Sequence, residues 1–222
     1  MIILENVNKT YNESRPNAFH ALKDISLHVR EGELLILKGI SGSGKSTLLS
    51  IIGSLIKPSS GSVRVDNDSI AKLPDLHAST FRAQKLGFIF QSFNLFEGLS
   101  IADNVALPLI NQSLSQKSLH VKIQNAMKTA HIDHKASQEV RLLSGGEKQR
   151  CAIARALVND PKVILCDEPT ANLDSINSQK FITTLKELNQ LGKTIVVATH
   201  DPIFESMDAR IITIENGMIK PS

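Results

Sequence analysis

Four apolar runs punctuate the chain at wide intervals: residues 34–39 (LLILKG), 86–91 (LGFIFQ), 163–168 (VILCDE) and 194–200 (TIVVATH). None alternates strictly between apolar and polar positions. Each therefore reads as a strand buried on both faces. Helical patterns fill the gaps. One covers 45–56 and is ended by Lys57 and Pro58. A second, SIADNVALPL, opens at Ser100 with Asp103 three residues on, a capping box. Residues 115–130 carry Leu119, Ile123, Ala126, Met127 and Ala130 on one face. Residues 176–191 carry Ile182, Leu185 and Leu188 and stop at Gly192. Strands alternating with helices predict an α/β fold with a mostly parallel core sheet. The first 30 residues and 59–70 read as strands and turns of an antiparallel β subdomain. The segment from about 92 to 140 is mostly helical and interrupts the alternation, as an inserted α-helical subdomain would. Core and β subdomain then take about 1–91 and 141–222 of a single domain spanning 1–222.

Composition narrows the class. The chain has 222 residues, 41% hydrophobic and 21% charged, as a soluble globular protein has. Net charge is +3 and no run of five Lys or Arg occurs, so no nucleic-acid partner is expected. The first residues, MIILENVNKTY, lack the layout of a signal peptide, and no apolar run approaches eighteen residues. Cys151 and Cys166 each sit in an apolar segment and read as buried thiols, which fits a reducing cytosol.

Every apolar run ends in polar or Gly-rich residues, and strand carboxyl ends form the ligand crevice of such sheets. The sequence GISGSGKS, Gly39 to Ser46, fits G-x-x-x-x-G-K-[ST] between a strand and a helix. Backbone N–H groups of Gly39, Ile40, Ser41, Gly42, Ser43 and Gly44 would curl around phosphates. Lys45 would set a point charge on them, and Ser46 offers oxygen to Mg²⁺. VILCDE delivers Asp167 as a second Mg²⁺ anchor and Glu168 as the group that polarises an attacking water. Gln91 is a candidate metal or water sensor, and His200 a candidate γ-phosphate contact; either type also ends strands as a plain capped polar residue. Tyr11, the only tyrosine, is a candidate for stacking on a base. LLSGGEKQR holds a further capping box, Ser144 with Glu147. It opens a helix whose first turn is bare N–H groups, a second anion-attracting end.

In combination these motifs resemble the nucleotide-binding subunit of ATP-binding cassette (ABC) transporters over residues 1–219. GISGSGKST, through Thr47, looks like Walker A, VILCDE like Walker B, and LSGGE like the family signature (Ser144, Gly145, Gly146, Glu147). ANLD, ending at Asp174, looks like the D-loop. Gln91 falls at the Q-loop position, His200 at the switch histidine and Tyr11 at the adenine-stacking position. The resemblance implies ATP and Mg²⁺ as ligands and ATP hydrolysis as the activity. It implies a head-to-tail pair in which LSGGE of one copy caps the nucleotide on Walker A of the other. It further implies an integral membrane permease as partner, and hence a peripheral place on the cytoplasmic face of the inner membrane. The permease groove lies beside the Q-loop, so Phe93, Leu95 and Phe96 are candidate contacts, while Phe88 and Phe90 read as strand core. Within the family, LGFIFQSFNLFEGLSIADNVALPL and DEPTANLD look most like the lipoprotein-releasing and macrolide-exporter branch (LolD-type and MacB-type). A cell-division-type ATPase that regulates an envelope partner is the alternative. Asn67 stands where a turn glycine is common.

Overall fold

The computed structural model describes residues 1–220. Its first sheet is antiparallel. It is built from β1 (Ile2–Tyr11), β2 (Phe19–Val29), β4 (Ser60–Val65) and β5 (Asp68–Ser69) in the order β2-β1-β4-β5. The second has six strands in the order β10-β9-β3-β8-β7-β6. Here β3 (Leu34–Lys38), β6 (Leu86–Ile89), β7 (Val163–Asp167), β8 (Thr194–Thr199) and β9 (Arg210–Glu215) run parallel. Only β10 (Met218–Ile219) is antiparallel to its neighbour.

The runs without alternation are explained by two cores, one on each face of the six-stranded sheet. Leu34, Ile36, Ile164, Cys166, Ile195 and Val197 point into one core. Leu35, Leu37, Val163, Leu165, Val196 and Ala198 point into the other, shared with the antiparallel sheet. Neighbouring residues face opposite sides of a pleated strand, so both sets must be apolar. Cys151 and Cys166 are buried and unpaired, and burial pushes the Cys151 thiol up to about 12.

Helices α1 (Lys45–Ile52) and α2 (Asp75–Lys85) carry residues of the second core. Helices α3 (Ile101–Ala106), α4 (Gln116–Thr129), α5 (Gly145–Leu157) and α6 (Ser175–Gln190) line the first. Helix α1 stops four residues short of the predicted 56. Gly53 caps it and Ser54 then turns left-handed (φ 52°), while a Cβ at Gly53 would lie 2.6 Å from the Phe88 ring. Helix α2 gave no periodic signal, since only Ala78 and Phe81 of its eleven residues are buried. Residues 92–140 hold α3 and α4, both packed on α5. The two ends of this segment are tied to each other by Ile101 N–H to Gln138 O (3.0 Å) and Val140 N–H to Leu99 O (3.1 Å).

The tight turn between β4 and β5 is Asp66–Asn67, with φ of 47° and 70°. Asparagine tolerates the left-handed region that a glycine would otherwise fill. Asp66 also accepts from Lys85 (2.8 Å), at the end of α2, and from Lys162 (3.3 Å), just before β7. The Lys85 hydrogen bond, then Lys162, hold its carboxyl below the usual range against a desolvation that opposes them. We expect Asp66→Asn to cost about 1 kcal/mol at neutral pH, the lower end for a charge-assisted bond with exposed lysines. A depressed carboxyl stabilises above its unfolded value. The wild-type advantage should therefore fade as pH falls below 3.8. Urea unfolding of both proteins at several pH values checks this.

Candidate active site

The phosphate loop runs from β3 into α1. Its glycines are set by contact and conformation. A Cβ on Gly39 would fall 2.3 Å from the Ile214 carbonyl, and Gly44, at φ 109°, would meet the Ala21 carbonyl at 2.7 Å. Helices α3, α4, α5 and α6 each have a side-chain cap. Helix α1 has none, and no acid in its first turn. Its orphan N–H groups and the positive end of its dipole are left for an anion. Ser43 is buried with its Oγ unpartnered, a further donor at the loop. Lys45, 4% exposed, donates to the carbonyls of Gly39 (2.8 Å) and Ile40 (3.0 Å). These groups fit a polyphosphate chain.

The sheet order places the acids beside this loop, because β8 and β7 follow β3. Ser46 Oγ donates to Asp167 Oδ1 at 2.8 Å. Burial pushes the Asp167 carboxyl up, opposed by the Ser46 bond, while Glu168 nearby adds to the rise and Lys45 counters it. Glu168 has φ 43°, a costly conformation for a glutamate, held by its N–H to the Ala198 carbonyl (2.8 Å). Its side chain receives Thr199 Oγ1 (3.1 Å) and the His200 ring Nδ1 (2.9 Å), and lies 3.7 Å from Lys45 Nζ. Lys45, Ser46, Asp167, Glu168 and His200 thus form one connected set. No group of three or more His, Cys, Asp or Glu suited to a metal occurs among the described residues. The oxygen pair Ser46–Asp167 suits a hard cation that keeps waters and substrate oxygens, as Mg²⁺ does.

Other sequence-predicted residues lie apart from this set. Tyr11 ends β1, 38% exposed, with Lys9 Nζ 5.1 Å from its ring centroid. Gln91 is exposed beyond β6, and its backbone carbonyl accepts from Asn172 Nδ2 at 2.8 Å. Asp174 is the N-cap of α6, accepting from Asn177, which lowers its carboxyl. Ser144 caps α5 in a complete capping box with Glu147. Gly146 is packed so that a Cβ would meet Asn177 Oδ1 at 2.4 Å, whereas Gly145 has only the Asn172 carbonyl, at 3.4 Å. Among the described residues, no hydrogen bond or ion pair joins the side chains of Ser144 or Glu147 to residues 39–47.

The phenylalanines meet expectation only in part. Phe88 and Phe90 are half-buried, stacked at 5.5 Å, and line a groove of about 720 Å³ together with Leu55, Leu76, Arg155 and Asn159. Phe88 packs against the second core, whereas Phe90 lies past the end of the edge strand β6 at Ile89 and stays outside it. Leu95 packs on the core, and Phe93 is half-buried at φ 60°. Of the three proposed contacts only Phe96, at 60%, is well exposed. Arg155 holds this turn through the carbonyls of Phe93 (2.6 Å) and Asn94. Arg155 and Thr199 escaped the sequence reading. A charged residue one turn after Cys151 on a buried helix face was the available signal for Arg155.

Residues 22–171 match the family model described as ABC transporter. The chain is 43% identical to the ABC transporter ATP-binding protein MJ0796 of Methanocaldococcus jannaschii, over 99% of this chain and 95% of that one. It is 40% identical to the lipoprotein-releasing system ATP-binding protein LolD of Pseudoalteromonas translucida, over 99% and 94%. It is also 40% identical to the macrolide export protein MacB of Mannheimia succiniciproducens, but spans only 34% of that protein's length. Among solved structures, a dimeric MJ0796 cassette in a post-hydrolysis state, bound to ADP and Pi, superposes with a TM-score of 0.90 at 42% identity, covering 100% of this chain and 97% of that one.

Proposed function

This chain belongs to the ABC transporter family, and we propose that it is the ATP-hydrolysing subunit of a transporter of the lipoprotein-release or macrolide-export type, working as a head-to-tail pair on a membrane permease. The observation that carries the reading is the connected set from Lys45 to His200, with the Ser144 helix end left apart from it. The phosphate-loop N–H groups and Lys45 bind the triphosphate. Ser46 and Asp167 would hold Mg²⁺, which would supply charge neutralisation at the phosphates, and Gln91 would report on it from the loop after β6. Glu168 takes the proton of the attacking water; Thr199 and His200 fix its carboxylate, and His200 reaches the γ-phosphate. Tyr11 stacks on the adenine. Ser144, Gly145, Gly146, Glu147 and Asp174 complete the site of the partner copy. Residues 92–140 form a helical arm that carries the signature helix's neighbours.

The permease seat is the Phe88–Phe90 groove, continued by Gln91 and the turn from Phe93 to Phe96. No described helix is long and apolar enough to cross a membrane. Docking at this seat would hold the chain against the cytoplasmic face of the membrane, as its transporter relatives suggest. Leu76 lines the groove at 77% exposure, so a charge there leaves the core intact. Leu76→Asp and Phe96→Asp should each lose co-purification with the co-expressed native permease, while the isolated chains keep their basal ATPase. Retention of the permease by Leu76→Asp would remove the groove from the interface.

A further inference from the structure

Glu147 is an acid placed where the shared-site reading requires an anion to be welcomed. Its carboxylate is mostly buried and fully engaged. Oε2 accepts from the Ser144 N–H and Oγ, both at 2.8 Å, and Oε1 accepts from Lys135 Nζ at 2.5 Å. The Lys135 bond first, then the Ser144 donors, hold the Glu147 carboxyl down at about 2, so it carries a full charge at neutral pH. That charge offsets the positive end of the α5 dipole, the property that draws a phosphate to such a helix end.

Lys135 is the one cation paired with Glu147 among the described residues, since the neighbouring Lys148 is drawn away to Glu97 at 3.0 Å. It sits in a single helical turn, Asp133–Lys135, that follows the fully buried Ile132. Its backbone is fixed by Lys135 N–H to the Ile132 carbonyl (3.1 Å) and by its own carbonyl accepting from Gln138 (2.8 Å). The ammonium is therefore delivered to Glu147 by a backbone that does not depend on the ion pair.

We propose that Lys135 is a positioning residue of the shared nucleotide site: its ammonium cancels the Glu147 charge, so that the first turn of α5 accepts the γ-phosphate bound by the partner copy. The proposal rests on the head-to-tail reading. Without Lys135, a Glu147 carboxylate held only by Ser144 keeps its full charge facing a triphosphate across the dimer, and like charges at short range repel.

ATP-dependent dimerisation in a Glu168→Gln background, followed by analytical ultracentrifugation, tests it. Lys135→Met should raise the ATP concentration for half-dimerisation roughly tenfold, a moderate short-range charge effect. Lys135→Arg should stay close to the reference. Adding Glu147→Gln to Lys135→Met should recover the dimer, because the amide keeps the capping box and removes the charge. Salt raised to about 0.5 M should narrow the Lys135→Met deficit by screening. If Lys135 were only a mechanical anchor, the double variant would remain as weak as Lys135→Met and salt would not help; that result overturns the proposal, as does an unimpaired Lys135→Met. Lys135→Gln, neutral and polar, replaces Lys135→Met should the latter lose its fold by circular dichroism. A reference Glu168→Gln protein that stays monomeric with ATP would instead refute the head-to-tail reading, and the proposal with it.

Discussion

Glu168→Gln should cut ATP turnover at least about 100-fold, the lower range for loss of a general base, while ATP still binds and holds two copies together. The substitution leaves the phosphate loop, Lys45 and the Ser46–Asp167 pair untouched. It is also close to isosteric, and a glutamine oxygen still accepts from Thr199 or His200, which now bracket the carboxylate at 3.1 and 2.9 Å. What disappears is the capacity to take a proton. It also removes a negative charge lying 3.7 Å from Lys45, freeing that ammonium for the triphosphate. Binding and hydrolysis should therefore separate: nucleotide affinity equal or tighter, turnover nearly gone. Single-turnover hydrolysis beside equilibrium binding of ATP checks both halves. A Glu168→Gln protein that hydrolyses at the wild-type rate removes Glu168 from the chemistry.

The parts of this fold that were legible in the sequence are those where one physical demand acts alone. The doubly buried strands announce themselves because both faces must be apolar, as Leu34 to Leu37 are, two into each core. The capping boxes at Ser100 and Ser144 are local, so four residues suffice to read them. The site residues on the phosphate loop and at the end of β7 follow from strand–loop–helix order and the chemistry of phosphates.

What stayed hidden depends on contacts between distant segments. Glu168 adopts a left-handed backbone because its N–H is anchored to Ala198 on the next strand, and nothing in VILCDE reveals that. Position 53 at the end of helix α1 must be small because it lies against Phe88, far along the chain. Phe88 and Phe90 read as core from their place in an apolar run, and Phe88 does pack against the second core. The incomplete burial of both follows from the position of β6 at the sheet edge, a property of strand order and not of composition. Asp66 and Lys135 are ordinary surface charges in the sequence. Only the fold brings Asp66 to Lys85 and Lys162, and Lys135 to Glu147.

The central claim is that each nucleotide site is made by two copies, and mixing two damaged proteins measures it most directly. Lys45→Ala loses the charge on the phosphate loop but keeps its signature helix. Gly145→Asp keeps the loop and sets a carboxylate at the start of α5, aimed at the incoming phosphate. The position tolerates a side chain, since a Cβ there meets only the Asn172 carbonyl at 3.4 Å. Each homodimer carries one lesion in each shared site and should be inactive. In a mixed dimer both lesions fall in the same site, and the other site joins an intact loop to an intact signature. Mixing should therefore restore hydrolysis well above either protein alone. A dimer of wild type with Lys45→Ala, which also retains one undamaged site, fixes the activity that one good site supports. If that control is active while confirmed Lys45→Ala/Gly145→Asp mixed dimers hydrolyse no ATP, the site lies within a single chain and the shared-site account is wrong.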